Sequence, residues 1–119
     1  MNGWLTSDHS AYLAASVLEA AVDHEFVIDT GFNGFLYVAE DTIAEWGLSF
    51  VSSVPVALAD RSILIADVYQ ATITWFGLSQ RVSILAGPAG CDSLLGMELL
   101  AGCRIELDSA NAEVRLERL

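Results

Sequence analysis

The chain has 119 residues, which fits one domain of ordinary size, and residues 1–119 are interpreted as a single domain. Its formal net charge is −11, from 16 acidic and 5 basic residues, and every basic residue is an arginine. The lack of lysine excludes Schiff-base chemistry and a phosphate-loop lysine. The strong acidity argues against nucleic acid or an anionic membrane surface as a partner.

The first part of the chain is predicted to contain a hairpin and a turn. Residues 1–10 are polar and irregular and are predicted to form a loop or an arm. The small apolar residues of 11–21 suit a helix or a strand. Because residues 24–29 are rich in strand-forming side chains, we interpret the two segments as a hairpin. A turn with two glycines follows over 31–34.

Further strands and two short helices are predicted after this turn. The predicted strands cover 35–38, 54–58, 62–69, 70–76, 81–86, 104–108 and 112–116, with turn signals at short intervals. A long hairpin is predicted around Ala59-Asp60-Arg61, and a further turn over 77–80. Residues 40–46, ended by Gly47, suit one or two helical turns, and residues 94–100 carry a short helix. Many short strands at close intervals indicate an all-β barrel or sandwich.

The cysteines and histidines of the chain do not suggest a metal site. Cys91 and Cys103 lack the spacing of metal ligands, and His9 and His24 do not complete a ligand set. The cysteines are interpreted as buried or interfacial thiols in a reducing compartment. No apolar run reaches the roughly 18 residues that span a bilayer, and no positively charged segment marks a signal peptide. The protein is therefore expected to be cytoplasmic, with no membrane partner.

Asp29 differs from the other acidic residues in its surroundings. It directly follows the apolar residues 26–28 and precedes Thr30-Gly31, so a strand end and a glycine turn aim its carboxylate out of the sheet. Its side chain could simply cap the turn that follows. It could also be a functional group, since a carboxylate at the end of an apolar strand is costly to hold there. The local sequence leaves both interpretations open.

Two segments, 27–34 and 94–100, bracket the predicted long hairpin. Their sequences are Val-Ile-Asp-Thr-Gly-Phe-Asn-Gly and Leu-Leu-Gly-Met-Glu-Leu-Leu. With these segments the chain resembles the retropepsin-like aspartic proteases (clan AA), most closely their small prokaryotic Asp-Thr-Gly-Phe branch. The resemblance covers roughly residues 11–110 and places the family's flap around residues 58–62. It implies an all-β, closed barrel-like retropepsin fold with one short helix near the C-terminus and half an active site per subunit.

The resemblance implies a homodimeric aspartic endopeptidase without a metal or cofactor. Its partners would be a second copy of the chain and an extended peptide or protein substrate. Two Asp29 carboxylates would activate one water molecule, and because like charges cannot both ionise freely, the pair would share a proton. Only 18% of the residues are charged, which agrees with a surface that keeps apolar area for a partner.

The resemblance also assigns roles to individual residues. Asp29, Thr30 and Gly31 would be catalytic, with Thr30 bonding across the two-fold axis and Gly31 allowing close approach of backbone. Residues 94–96 would pack behind this turn. The substrate pockets are expected to be apolar. The substrate-binding residues would be Phe32, Asn33, Gly34, Leu58, Ala59, Asp60, Arg61 and Leu94.

The chain departs from the family at several positions. Asp60 and Arg61 stand at the flap tip where many relatives have glycine, so the tip turn is expected to differ in type. Met97 stands where retroviral relatives have a charged residue, so their ion pair is absent. Residues 112–119 could form part of a dimer interface or be a free strand. The alternative function is a catalytically weak or inactive dimeric peptide-binding module with the retropepsin fold.

Overall fold

The computed structural model describes residues 1–119, which form ten strands and two short helices. The strands are β1 (Asn2–Leu5), β2 (Ala11–Val17), β3 (Val22–Ile28), β4 (Leu36–Ala39), β5 (Ser49–Ala57), β6 (Ile63–Trp75), β7 (Leu78–Gly87), β8 (Leu94–Leu95), β9 (Cys103–Asp108) and β10 (Glu113–Arg118). The helices are α1 (Glu40–Trp46) and α2 (Met97–Leu100). The predicted all-β class is confirmed. Neither helix is long and apolar enough to cross a membrane.

The strands form one sheet in the order β5-β6-β7-β4-β8-β3-β2-β1-β10-β9. An additional pairing of Val17 in β2 with Ile73 in β6 joins two distant strands of this order, so that six strands form a ring. The pairs β3–β8 and β4–β7 are parallel, and every other pair is antiparallel. Since β8 lies between β3 and β4, the loop that joins those two strands must cross the start of α2.

One core connects the ring, both helices and β10. It contains 18 buried apolar residues, and no polar or charged side chain is buried. Along β2, Leu13, Ala15 and Val17 are buried and Ala14 is exposed, because successive side chains of a strand point to opposite faces. Phe26 is the largest fully buried side chain and lies in β3, three residues before Asp29. The strand that leads to Asp29 is thus anchored in the core.

The prediction of a loop over residues 1–10 is wrong for β1. This strand pairs with β10 on one side and with β2 on the other. The ring of Trp4 stacks on Tyr12 with centroids 5.8 Å apart, and the Met1 ammonium donates to the carbonyl of Leu116, 115 positions away. A pairing between the two ends of the chain leaves no local signal, so the polar sequence suggested a loop.

Two further predictions need correction. Segments 62–69 and 70–76 form the single strand β6 of 13 residues, because no turn residue separates them and β5 and β7 pair with different parts of it. The turn after β6 has two residues, Phe76 and Gly77, rather than the four of 77–80, and both have positive φ. The short helix near the C-terminus that the resemblance implied is present as α2, in addition to α1.

The predicted first hairpin, the long hairpin and α1 are confirmed. The first hairpin pairs β2 with β3, and the long hairpin pairs β5 with β6. Helix α1 ends at Gly47, which has a φ of 65° and donates its N–H to the Ala44 carbonyl at 3.2 Å. β10 is paired on both sides, so residues 112–119 do not form a free strand. The two outer strands of the sheet are β5 and β9.

Candidate active site

Asp29 lies in a turn that its own backbone and side chain hold in place. Its N–H donates to the Leu95 carbonyl (2.9 Å), and its carbonyl accepts from the Phe32 N–H (3.2 Å). Carboxylate oxygen Oδ1 accepts from the Gly31 N–H at 2.9 Å. The residue is half-buried, and Oδ2 has no hydrogen-bond partner within the chain. The predicted turn cap is therefore present, and it occupies only one of the two carboxylate oxygens.

Strand β8 lies directly behind this turn. Leu94 and Leu95 pair in parallel with β3 on one side and antiparallel with β4 on the other. Leu95 is fully buried and Leu94 is half-buried. The predicted packing of residues 94–96 behind the Asp29 turn is confirmed.

Gly96 brings the end of β8 into close contact with the loop after Asp29. Its N–H donates to the Phe35 carbonyl (2.9 Å), and the Met97 N–H donates to the Phe32 carbonyl (2.8 Å). A Cβ at position 96 would lie 2.6 Å from the Phe32 ring and 2.7 Å from the Phe32 carbonyl oxygen. Only glycine leaves room for this approach, so the loop and the end of β8 form one rigid unit.

The side chains that follow the turn differ in exposure. Thr30 and Asn33 are exposed, and neither side chain has a hydrogen-bond partner within the chain. Phe32 is half-buried and packs edge-on against Tyr37, with ring centroids 6.1 Å apart. The Phe32 ring also covers Gly34, where a Cβ would come within 2.6 Å of it. The loop thus presents two free polar side chains and one fixed aromatic ring.

The tip of the β5–β6 hairpin is a tight turn with all of its residues exposed. The Leu58 N–H donates to the Ser62 carbonyl (2.9 Å), and the Arg61 N–H donates to the Leu58 carbonyl (3.0 Å). Arg61 has a φ of 70°, the left-handed region that glycine occupies more easily. The Asp60 carboxylate accepts from the Ser62 N–H (3.0 Å) and hydroxyl (2.5 Å), and these bonds hold the pKa of Asp60 below its ordinary value. Side-chain hydrogen bonds therefore fix a turn that lacks glycine.

Two cavities border this region. The larger, called here the hairpin cavity, has a volume of 370 Å³, and its lining includes Tyr37, Glu40, Leu58, Leu64, Asp67 and Pro88. The smaller measures 130 Å³ and is lined in part by Phe32 and Gly34. Asp29, Thr30 and Gly31 border neither cavity. Nor do Asn33, Ala59, Asp60, Arg61 and Leu94. The structure therefore brings three of the predicted substrate-binding residues, Phe32, Gly34 and Leu58, to the cavities.

This architecture is similar to a solved structure, that of a retropepsin-like aspartic protease from Rickettsia conorii. The alignment covers 98% of this chain and 88% of that chain, with a TM-score of 0.67 and 20% sequence identity. The chain has the retropepsin-like fold. No protein-family model and no curated protein matches it. The predicted fold is confirmed, and membership of the Asp-Thr-Gly-Phe branch stays a prediction.

Sequence reasoning missed several residues around the hairpin cavity of this retropepsin-like fold. Its lining includes Tyr37 and Glu40, which lie three residues apart, and Asp67 and Pro88, which lie in two later segments of the chain. A signal for Tyr37 existed, since it immediately follows the loop that carries Phe32 and Gly34. Nothing in the sequence indicated that Glu40, Asp67 and Pro88 line the same cavity. No group of three or more His, Cys, Asp or Glu side chains is arranged to hold a metal ion.

His24 lies at the edge of the core close to β8. Its Nε2 is 2.7 Å from the Ser93 hydroxyl oxygen, and its ring packs edge-on against Phe26 (5.0 Å) and Trp46 (4.8 Å). Burial lowers the pKa of His24 below the ordinary value of 6.5, and the nearby Glu25 carboxylate partly opposes this. Ser93 directly precedes β8, the strand that lies behind the Asp29 turn.

Acidification should destabilise the protein through His24. Because the folded pKa lies below 6.5, the unfolded chain takes up the proton first as the pH falls. The stabilisation from neutral His24 is therefore fully present above about pH 6.5 and is lost as the pH falls through the folded pKa. Urea unfolding at about pH 7.5 and about pH 5.5 measures this loss. The slope of the unfolding free energy against pH reports how many more protons the unfolded chain binds, and His24→Gln should lower this number by up to one. An unchanged slope would contradict the assignment of the pH dependence to His24.

Proposed function

We propose that this chain is a homodimeric aspartic endopeptidase in which the Asp29 carboxylates of two subunits activate a water molecule. The observation that carries the proposal is the state of the Asp29 side chain. One oxygen is anchored by Gly31, the other is free, and no arginine forms an ion pair with it. A rigid carboxylate with a free oxygen suits a reacting group better than a structural one.

The chain supplies one such carboxylate, and the chemistry needs two. One carboxylate takes a proton from water while the other, protonated, donates to the carbonyl oxygen of the peptide bond. Two carboxylates in close proximity share one proton and titrate as a pair, because like charges cannot both ionise freely. The sequence has a single Asp-Thr-Gly, so a two-fold axis would bring in the second from an identical surface.

Other residues around the turn support the proposal. The free hydroxyl of Thr30 is exposed next to Asp29 and would bond to the partner's loop across the axis. The substrate would be contacted on the side of the Asp29 turn by Phe32, Asn33, Gly34 and Leu94. The β5–β6 hairpin would act as the flap, with Leu58, Ala59, Asp60 and Arg61 at its tip. An extended substrate would pair through its main chain while side pockets select residues.

Peptide cleavage by wild type and by Asp29→Asn tests this proposal. A peptide library is incubated with each protein over about pH 4 to 7, with and without a statine-type inhibitor. We expect cleavage by the wild type that the inhibitor blocks, and a loss of about 10²–10⁴-fold in Asp29→Asn. Asp23→Asn is the matched control, since Asp23 is an exposed carboxylate of β3, the strand that leads to Asp29. Equal cleavage by all three proteins would overturn the assignment of Asp29.

The second candidate is a dimeric peptide-binding module that cuts little. It is favoured by the hairpin tip, where Arg61 holds a φ of 70° and the Asp60 carboxylate is already bonded to Ser62. A tip fixed in this way could hold a peptide without closing fully over it. Peptide binding by the wild type with no cleavage at any pH would favour this module over the enzyme.

A further inference from the structure

The hairpin cavity combines an apolar wall with two acidic residues. Its volume of 370 Å³ is enough for a long side chain, and the wall includes Leu58 and Leu64 of the hairpin and Pro88 beyond β7. Glu40, the first residue of α1, and Asp67 of β6 also line it. No arginine lines the cavity. The cavity is therefore mostly apolar, with acidic side chains at two positions.

Tyr37 connects the cavity to the Asp29 turn. Its ring lines the cavity and packs edge-on against Phe32, three residues after Asp29. A Cβ on Gly87 would lie 2.5 Å from the Tyr37 hydroxyl oxygen, so this ring rests directly on the backbone of β7. Burial raises the pKa of the Tyr37 hydroxyl above its ordinary value. A substrate side chain that enters the cavity would thus belong to a residue close to the peptide bond that is cleaved at Asp29.

The two acidic residues are not neutralised within the chain. The salt bridges of the structure join Arg104 with Glu117 and Arg115 with Glu106, on β9 and β10. Asp67 accepts one hydrogen bond from the Ser53 hydroxyl (2.9 Å), which leaves its second oxygen free. Both residues are exposed, and a cationic side chain in the cavity would give their carboxylates a partner that an apolar side chain does not.

We propose that the hairpin cavity is a subsite that selects arginine or lysine in the peptide substrate, an inference that rests on the proposed protease function. The aliphatic stem of such a side chain packs against Leu58, Leu64 and Pro88, as long basic side chains do when they cover apolar surface. Its cationic end meets Glu40 and Asp67 in charge-assisted hydrogen bonds. The net charge of −11 would also draw cationic peptides towards the protein.

Peptides that differ at one position test the subsite. A cleaved parent peptide is remade with arginine, lysine, norleucine or glutamate at each position flanking the cut, and kcat/KM is measured. We expect arginine or lysine to exceed norleucine by at least about fivefold at one position, and glutamate to be the poorest. A peptide with the arginine moved to a distant position keeps the same net charge and should lose the preference. Equal rates for arginine and norleucine at every position would overturn the proposal.

A double variant, Glu40→Gln with Asp67→Asn, tests whether the preference for arginine or lysine arises in the hairpin cavity. It should reduce the ratio of kcat/KM for the arginine peptide to that for the norleucine peptide to about twofold or less. Glu45→Gln is the matched control, because Glu45 is an exposed residue of the same helix that does not line the cavity. A preference that survives in the double variant would contradict the proposal.

The same peptides separate this proposal from the protease assignment. If the wild type cuts none of them, the proposed function fails, and the affinities of the wild type for the peptides are compared by fluorescence anisotropy. Tighter binding of the arginine peptide, lost in the double variant, would then support the subsite by itself. Equal affinities for the arginine and norleucine peptides would overturn it.

Discussion

Wild-type chains refolded with Asp29→Asn chains should lose activity in proportion to the fraction of all chains that carry the variant. At equal amounts, the activity per wild-type chain is expected to fall to about one half, and at a ninefold excess of variant to about one tenth. The reason is that each active site of the proposed enzyme would need Asp29 from both subunits. A mixed dimer holds one carboxylate and one amide and cannot share a proton between them.

Dilution provides a second readout of the shared site. Activity per chain should fall once the concentration drops below the dissociation constant of the dimer, because association is governed by mass action. Asp23→Asn chains, added in the same ninefold excess, should leave the activity per total chain equal to that of the wild type alone. Wild-type activity that is insensitive to excess Asp29→Asn would mean that one chain carries a complete site, which would contradict the two-fold arrangement.

The parts of the fold that could be predicted from sequence are those with a local signal. Helix α1 was bounded correctly because acidic residues precede an apolar face and Gly47 can adopt a left-handed cap. The β5–β6 hairpin was predicted because turn-type residues separate two apolar runs. β1 was missed because its partners are β2 and the distant β10, and such a pairing depends on the whole fold.

The candidate site likewise has parts that could be predicted from the sequence and parts that could not. Asp29 and the segment 94–96 could be found from their sequence, and the structure brings them together through the bond from the Asp29 N–H to the Leu95 carbonyl. The hairpin cavity could not be found, since Glu40 and Asp67 come to line one cavity only when α1 and β6 are placed by the sheet. The two interpretations of Asp29 prove compatible, because the turn cap uses one oxygen and leaves the other free.

Gly96→Ala should both destabilise the protein and abolish its activity. Gly96 has φ −106° and ψ −178°, an extended conformation that alanine adopts freely, so the effect comes from space alone. The new Cβ would overlap the Gly34 carbonyl oxygen and lie 2.7 Å from the Phe32 carbonyl oxygen. Both are backbone atoms that cannot rotate away, and both accept hydrogen bonds from the start of α2.

Relief of this overlap must move the Asp29 loop away from β8. We expect the unfolding free energy to fall by about 2–4 kcal/mol, from overpacking and weakened hydrogen bonds together. Cleavage should fall at least about 10²-fold even at temperatures where the variant stays folded, because a shift of about 1 Å in a reacting group is enough. Met97→Ala is the control: it shortens a partly exposed neighbouring side chain and keeps the backbone bond to Phe32. Folded Gly96→Ala protein with wild-type cleavage would show that the position of the Asp29 loop does not control the reaction.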